Sequence, residues 1–214
     1  MIMLLSHSQF RILIFIIGFT AIIADIINTF AFFILKPFCS ASIMVYSLSF
    51  RNPTLKKYPL QISIGLFFCL LGDIFLLLET FFIYGLVSFL IAHLIFLFAF
   101  IKSQGWQWRP KIILVLLPIA AAIFIFISKD LGDLYIPVMI YLIVILLMSW
   151  QGWAMTLNPK LKQHRFLSLA VSLFLFSDSL IAINKFSYNF SFSGALILSS
   201  YWLSIYLIVD SATR

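Results

Sequence analysis

Long apolar stretches recur along the whole chain and are separated by short polar segments. Each stretch is long enough to cross a bilayer as a helix, which takes roughly 17 to 25 residues, and the short alternating segments of a strand barrel are absent. The pattern predicts an all-α, polytopic membrane protein with eight transmembrane helices. The predicted helices are Phe10–Ile27, Ala31–Phe50, Leu60–Leu78, Phe81–Ile101, Ile112–Ser128, Leu134–Trp153, Phe166–Asn184 and Phe192–Asp210.

The composition excludes an ordinary soluble domain. Of the 214 residues, 64% are hydrophobic and only 10% are charged, whereas soluble domains carry about 25% charged residues. No polar segment is long enough to fold alone, so residues 1–214 are interpreted as a single domain. The net charge of +7 does not indicate nucleic-acid binding, because the basic residues lie in short loops. Cys39 and Cys69 lie in apolar stretches and suggest no disulfide framework.

Basic residues occupy alternate loops, and this distribution predicts the orientation. Three loops each contain three Lys or Arg residues, whereas the turns between them hold most of the acids. By the positive-inside rule, these loops and both termini are cytoplasmic. The first stretch could be a signal peptide, but 21–24 is a poor cleavage site and the apolar run continues, so we expect a retained helix. The basic residues are Arg51, Lys56 and Lys57; Lys102, Arg109 and Lys111; and Lys160, Lys162 and Arg165.

Two aspartates interrupt the apolar stretches: Asp73 follows Gly72, and Asp178 follows Ser177. A carboxylate in hydrocarbon is costly unless it is protonated, paired or hydrated. Their helices run in the same direction in the predicted topology, which places both acids about 20 Å from the cytoplasmic helix starts. The sequence therefore predicts a buried polar site in the outer half of the membrane. Other polar residues expected near this site are Asp25, Lys36, His93, Lys185 and Tyr201.

These polar residues also have structural interpretations. The two aspartates could fix helix packing by hydrogen bonds, or form an acid pair with one member protonated and the other ionised. The second is favoured because ionisable groups inside membranes are usually functional. Lys36 and Lys185 could extend to the outer interface or bind an anionic head group, and a lysine that opens a helix would suit a phosphate. His93 could be a packed histidine, and no metal-ligand cluster or hydrolase motif is present.

The same residues carry a family resemblance that spans the chain from about Lys36 to its C-terminus. The chain resembles the YhhN-like lysoplasmalogenase family of membrane proteins. It departs from that pattern at 170–171, where Gly-Ala is expected, and at 204–205, where Ala-Gln is expected. The matching residues are Lys36-Pro37, Gly72-Asp73, Gly85-Leu86, Phe89, His93, Pro137, Tyr141, Met148, Phe174, Ser177-Asp178, Ala182, Asn184-Lys185-Phe186 and Tyr201.

The resemblance implies hydrolysis of the vinyl ether bond of lysoplasmalogens to a fatty aldehyde and glycerophosphocholine or glycerophosphoethanolamine. A vinyl ether hydrolyses by protonation of its outer alkene carbon, so one acid can donate the proton while the other stabilises the cation and activates water. We expect Asp178 to be the donor and Asp73 the base, with no metal or organic cofactor. The expected substrate-binding residues are Lys36, Lys185, Asn184, His93, Tyr201, Asp25, Tyr141 and Ser177.

The expected partner is a lysophospholipid that enters from the bilayer. A small-molecule or proton-coupled transporter could use the same acids as a relay, and a lipid sensor would bind without turnover. The cytoplasmic halves of the helices are nearly devoid of charge, which favours a pocket open to one side over a transport path. Compact loops and the absence of sorting signals suggest a bacterial inner membrane.

Overall fold

The described part of the chain forms eight long helices, as the hydropathy pattern predicts. The computed structural model describes residues 6–55, 57–158 and 164–213, and all eight helices within these ranges are long and apolar enough to cross a membrane. Four basic residues used to predict the orientation, Lys56, Lys160, Lys162 and Arg214, lie outside the described residues. The helices are α1 (His7–Ile27), α2 (Thr29–Ser49), α3 (Tyr58–Phe75), α4 (Phe82–Gln104), α5 (Pro110–Ile127), α6 (Tyr135–Thr156), α7 (Leu167–Phe186) and α8 (Ser193–Thr213).

Asn28 makes the turn between α1 and α2 unusually tight. Its backbone N–H donates to the Ala24 carbonyl at the end of α1, and its side chain accepts from the Ala31 N–H at the start of α2. One polar residue thus caps both helices. Because α2 already begins at Thr29, Lys36 lies about two turns inside the helix. The suggestion that Lys36 opens a helix is therefore wrong, and the helix N-terminus does not support phosphate binding there.

The helices differ greatly in their burial. Helix α8 is the most buried and packs against α1, α2, α3 and α7, whereas α5 is the least buried and packs on α6 and α7. Their sequences explain the difference: α8 contains buried polar side chains such as Ser204 and Asp210, whereas the buried residues of α5 are all apolar. Polar side chains favour helix–helix contact over contact with lipid. Helix α8 is consequently a central helix of the bundle.

Glycines bring α3 and α4 close together. A Cβ atom on Gly72 would lie 2.5 Å from the Phe89 ring, so that ring occupies the space that a side chain would need. Three such contacts pair a glycine of one helix with a side chain of the other. All three pairs belong to one antiparallel register, because the two residue numbers of each pair add up to the same value. The three pairs are Gly65 with Phe96, Gly72 with Phe89, and Gly85 with Leu76.

Candidate active site

Asp73 lies in a buried polar cluster contributed by three helices. Its carboxyl group is buried and accepts hydrogen bonds from the hydroxyl groups of Ser40 on α2 and Tyr201 on α8, the latter at 2.8 Å. The indole N–H of Trp202 donates to the Ser40 hydroxyl at 3.2 Å. Lys36, on the same face of α2 as Ser40, is also buried and interacts electrostatically with Asp73. These donors and the cation suit an ionised carboxylate.

Asp178 lies in a second, more apolar cluster formed by α4, α6 and α7. The Tyr141 hydroxyl donates to its Oδ2 atom at 2.5 Å, and the His93 Nε2 atom lies 3.7 Å from the same oxygen. His93 is completely buried, and within the described part of the chain neither of its ring nitrogens makes a hydrogen bond. Its ring packs edge-on against Phe174 and Tyr141. Fewer polar groups surround Asp178 than Asp73, which favours a neutral acid there.

An aromatic layer connects the two clusters. The Phe174 ring lies 4.5 Å from His93 and 5.6 Å from Tyr201, measured between ring centroids. Phe89 contacts both Phe174 and Tyr201 in edge-on geometry. The clusters of the two aspartates therefore belong to one packed assembly, as their predicted depths suggested.

A polar cavity of about 480 Å³ lies at the end of the bundle that contains the α1–α2 and α3–α4 turns. Lys36 and Asp25 line it, together with Lys185, whose ammonium group lies 3.5 Å from the Glu79 carboxylate. Asn184 also faces this cavity. Two cations and two anions around one cavity match a zwitterionic ligand better than a purely anionic one.

Asp178 borders an apolar crevice that adjoins this polar cavity. The crevice, here called the inner crevice, has a volume of about 50 Å³ and is also lined by Tyr141 and Phe89. Leu76, Phe82 and Ile181 line both the crevice and the polar cavity, so the two share walls. A molecule with a polar head and an apolar chain would therefore meet Asp178 at the junction of its two parts.

Most predicted site residues come together, but Ser177 has a different contact. Its hydroxyl is completely buried and donates to the Ile197 carbonyl at 3.0 Å, which ties α7 to α8.

Ser40 and Trp202 were missed by the sequence analysis. Ser40 follows Lys36 by one helical turn on the same face, and this i, i+4 relation is a signal that could have identified it.

No group of three or more His, Cys, Asp or Glu side chains could hold a metal ion among residues 6–55, 57–158 and 164–213. The polar groups of the site are instead arranged as hydrogen-bonding clusters around single carboxyl groups. The chemistry available to them is proton transfer and charge stabilisation.

The family model that describes the YhhN family matches residues 31–212, which is most of the chain. The chain belongs to the YhhN family. It is 29% identical to the lysoplasmalogenase TMEM86A of Bos taurus over 72% of its own length and 65% of the relative. The TMEM86A of Homo sapiens gives the same percentages.

A lysoplasmalogenase homolog of Dictyostelium discoideum is 39% identical over a shorter region, 37% of this chain and 25% of the relative. The matched regions thus cover less than two thirds of each of these relatives. No solved structure matches the chain.

Proposed function

We propose that the protein hydrolyses the vinyl ether bond of a lysoplasmalogen. The observation that carries this proposal is the position of Asp178, which borders an apolar crevice that shares walls with a charged cavity. The YhhN family match and the lysoplasmalogenase relatives support the same substrate class. The vinyl ether of such a lipid lies between its polar head and its hydrocarbon chain, which is the junction that Asp178 occupies.

The polar cavity would hold the glycerophosphate head group. Lys36 and Lys185 would contact the phosphate, and Asp25 and Glu79 would face the ammonium group of an ethanolamine or choline. Asn184 adds an amide that can donate to a phosphate or glycerol oxygen. This arrangement would hold the vinyl ether beside Asp178.

The reaction would start with the protonated Asp178. Its proton moves to the outer alkene carbon, and the resulting oxocarbenium ion is stabilised by nearby negative charge. Water then adds to the carbon bonded to oxygen and returns a proton to the carboxylate. The hemiacetal so formed collapses, transfers its hydroxyl proton to the glycerol oxygen, and releases the fatty aldehyde. Protons and charge balance over the cycle, and Asp178 ends protonated.

Tyr141 and His93 would position this acid. The Tyr141 hydroxyl donates to Oδ2 of Asp178, which leaves the other carboxyl oxygen to carry the acidic proton. His93 lies beside the same Oδ2 atom, and as a neutral imidazole it would add no charge. Asp73, held by Ser40 and Tyr201, would supply negative charge that stabilises the cation.

The test is aldehyde release from the purified protein with an ethanolamine or choline lysoplasmalogen, beside Asp73→Asn and Asp178→Asn. We expect release by the wild type and its loss in both variants. Asp210→Asn is the matched control, because Asp210 is an acid in α8 that is as buried as Asp73 and pairs with Arg11 instead of facing the site. Full activity in both site variants would show that neither acid takes part in the reaction.

The transporter interpretation makes a different prediction. It requires a polar path through the bundle, whereas α3 and α4 pack the fully buried Leu66, Phe96 and Phe100 along their lengths. If the wild type releases no aldehyde from either lysoplasmalogen, flux of the intact lipid across proteoliposomes is the next measurement.

A further inference from the structure

Asp178 also borders a second apolar crevice, on the opposite side of the α6–α7 pair. This outer crevice has a volume of about 40 Å³ and is lined by α5, α6 and α7. Tyr141, Asp178, Val138 and Ala182 line both crevices and therefore form the wall between them. Asp178 is thus in contact with both the inner and the outer crevice.

The outer crevice leads away from the polar cavity. Besides the shared residues, its lining includes Leu142, Ile145 and Leu175, which lie on α6 and α7 beyond Tyr141 and Asp178 as seen from the polar cavity. Its outer wall is α5, the helix with the least burial. This crevice therefore runs toward the middle of the apolar bundle beside a helix that faces lipid.

The inner crevice is no smaller than the outer one, but its walls carry more aromatic rings. It is bounded by Phe82, Phe89 and Phe186, and Phe89 packs directly on Phe174 at a centroid distance of 6.4 Å. The Phe82 and Phe186 rings are 5.7 Å apart. A hydrocarbon chain that entered here would meet packed aromatic rings, and displacing such packing is unfavourable.

We propose that the hydrocarbon chain of the substrate passes between α6 and α7 at Val138 and Ala182 and lies in the outer crevice against α5. This inference rests on the proposed function, because it takes the substrate to be a single-chain ether lipid. The head group then occupies the polar cavity, the vinyl ether lies at Asp178, and the chain extends along Leu142 and Leu175. The order of cavities matches the order of groups in the lipid. The α5 face of the crevice would set chain preference.

Photolabelling tests this path directly. The probe is an alkyl-ether lysophosphatidylethanolamine, which has no vinyl ether to hydrolyse, with a diazirine midway along its chain. We expect labels on Ile123 and Phe124, which line the outer crevice from α5. Excess unlabelled alkyl-ether lipid should suppress these labels. Ile125 and Phe126 are the internal control, because they are 69% and 57% exposed and would be labelled from bulk lipid without competition.

A variant of α7 tests the outer crevice by itself. Ser179 lines only the outer crevice, and Ile181 lines the inner crevice and the polar cavity. Ser179→Phe should lower kcat/KM for a long-chain lysoplasmalogen by about tenfold, the effect of overpacking in a filled site. It should also remove the labels from Ile123 and Phe124. Leu169→Phe, on the exposed face of the same helix, controls for insertion and folding.

The outcomes are distinct. Competed labels on Leu86 or Phe89 would place the chain in the inner crevice and overturn the proposal, as would a Ser179→Phe variant that stays active and keeps the labels on α5. Aldehyde release by the wild type without competed labels on α5 would also overturn it. If the probe labels α5 of the wild-type protein but the protein releases no aldehyde, the proposed hydrolysis is wrong, whereas the proposed position of the lipid chain is supported.

Discussion

Replacing Gly72 with alanine would place a methyl carbon 2.5 Å from the Cε2 atom of Phe89. Two carbon atoms pack best at about 3.5–4.0 Å, so the ring or helix α4 must move by roughly 1 Å. Overpacking of this kind costs about 1–3 kcal/mol, which lowers the folding equilibrium constant by roughly 5- to 150-fold. The movement would also reach the site, because the Phe89 ring packs on Tyr201, a donor to Asp73.

The assay is unfolding by SDS titration in mixed micelles, with aldehyde release measured in parallel. Gly18→Ala is the matched control, because its Cβ would meet Trp202 and Cys39 at ordinary distances of 3.5 and 3.6 Å. That control should be neutral or stabilising by about 0.5–1 kcal/mol, since alanine is the better helix former.

The double variant Gly72→Ala with Phe89→Leu should recover part of the loss. Removing the ring removes the clash, so the two changes should couple by about 0.5–3 kcal/mol in a double-mutant cycle. The reasoning would be refuted if Gly72→Ala unfolds like Gly18→Ala and the cycle shows no coupling. In that case the α3–α4 register would not depend on this glycine.

Three further variants probe the site and the loops. Tyr141→Phe removes the hydrogen bond to Asp178, so aldehyde release should fall about 3- to 10-fold, and unchanged kinetics would exclude a positioning role. Lys185→Gln should raise KM with kcat little changed, whereas Lys129→Gln, at an exposed site outside the cavity, should alter neither. Burial lowers the pKa of His164, between α6 and α7, to about 4 from 6.5. The unfolded chain therefore binds the proton more tightly, and the free energy of unfolding should fall from pH 6.5 to 4, by about 3 kcal/mol at most. His164→Phe should flatten this dependence in SDS titrations.

The sequence was sufficient to predict the eight helices, because each apolar stretch reflects the thickness of a bilayer. Most boundaries differ from the structure by a few residues, and α3 ends at Phe75 rather than Leu78, where the chain turns through a short 3₁₀ segment at Glu79–Phe81. Depth along a helix follows from counting residues, which is why Asp73 and Tyr201 were expected near one another. The predicted orientation of the termini stays a prediction.

Counting residues along the sequence does not predict how each helix is rotated about its own axis. Helices that are apolar on nearly every face are only weakly amphipathic, so nothing indicated that the Ser177 hydroxyl donates to the Ile197 carbonyl on α8. The same ambiguity hid the two apolar crevices beside Asp178, since their walls are ordinary Leu, Ile and Phe residues. The glycine pairs of α3 and α4 depend on which faces meet, and that is a property of the packed bundle.

The hydrogen bond from Tyr201 to Asp73 joins residues 128 positions apart in the chain. During synthesis at roughly 5–20 residues per second, α3 would leave the ribosome on the order of ten seconds before α8 supplies that tyrosine. Throughout this interval the Asp73 carboxyl group would have only its α2 partners, Ser40 and Lys36, and would lack the Tyr201 hydroxyl, and lipid disfavours an incompletely paired acid. The protein's biogenesis is therefore expected to need a holding environment, such as the insertion machinery or protonation of Asp73, until α8 docks and assembles the cluster.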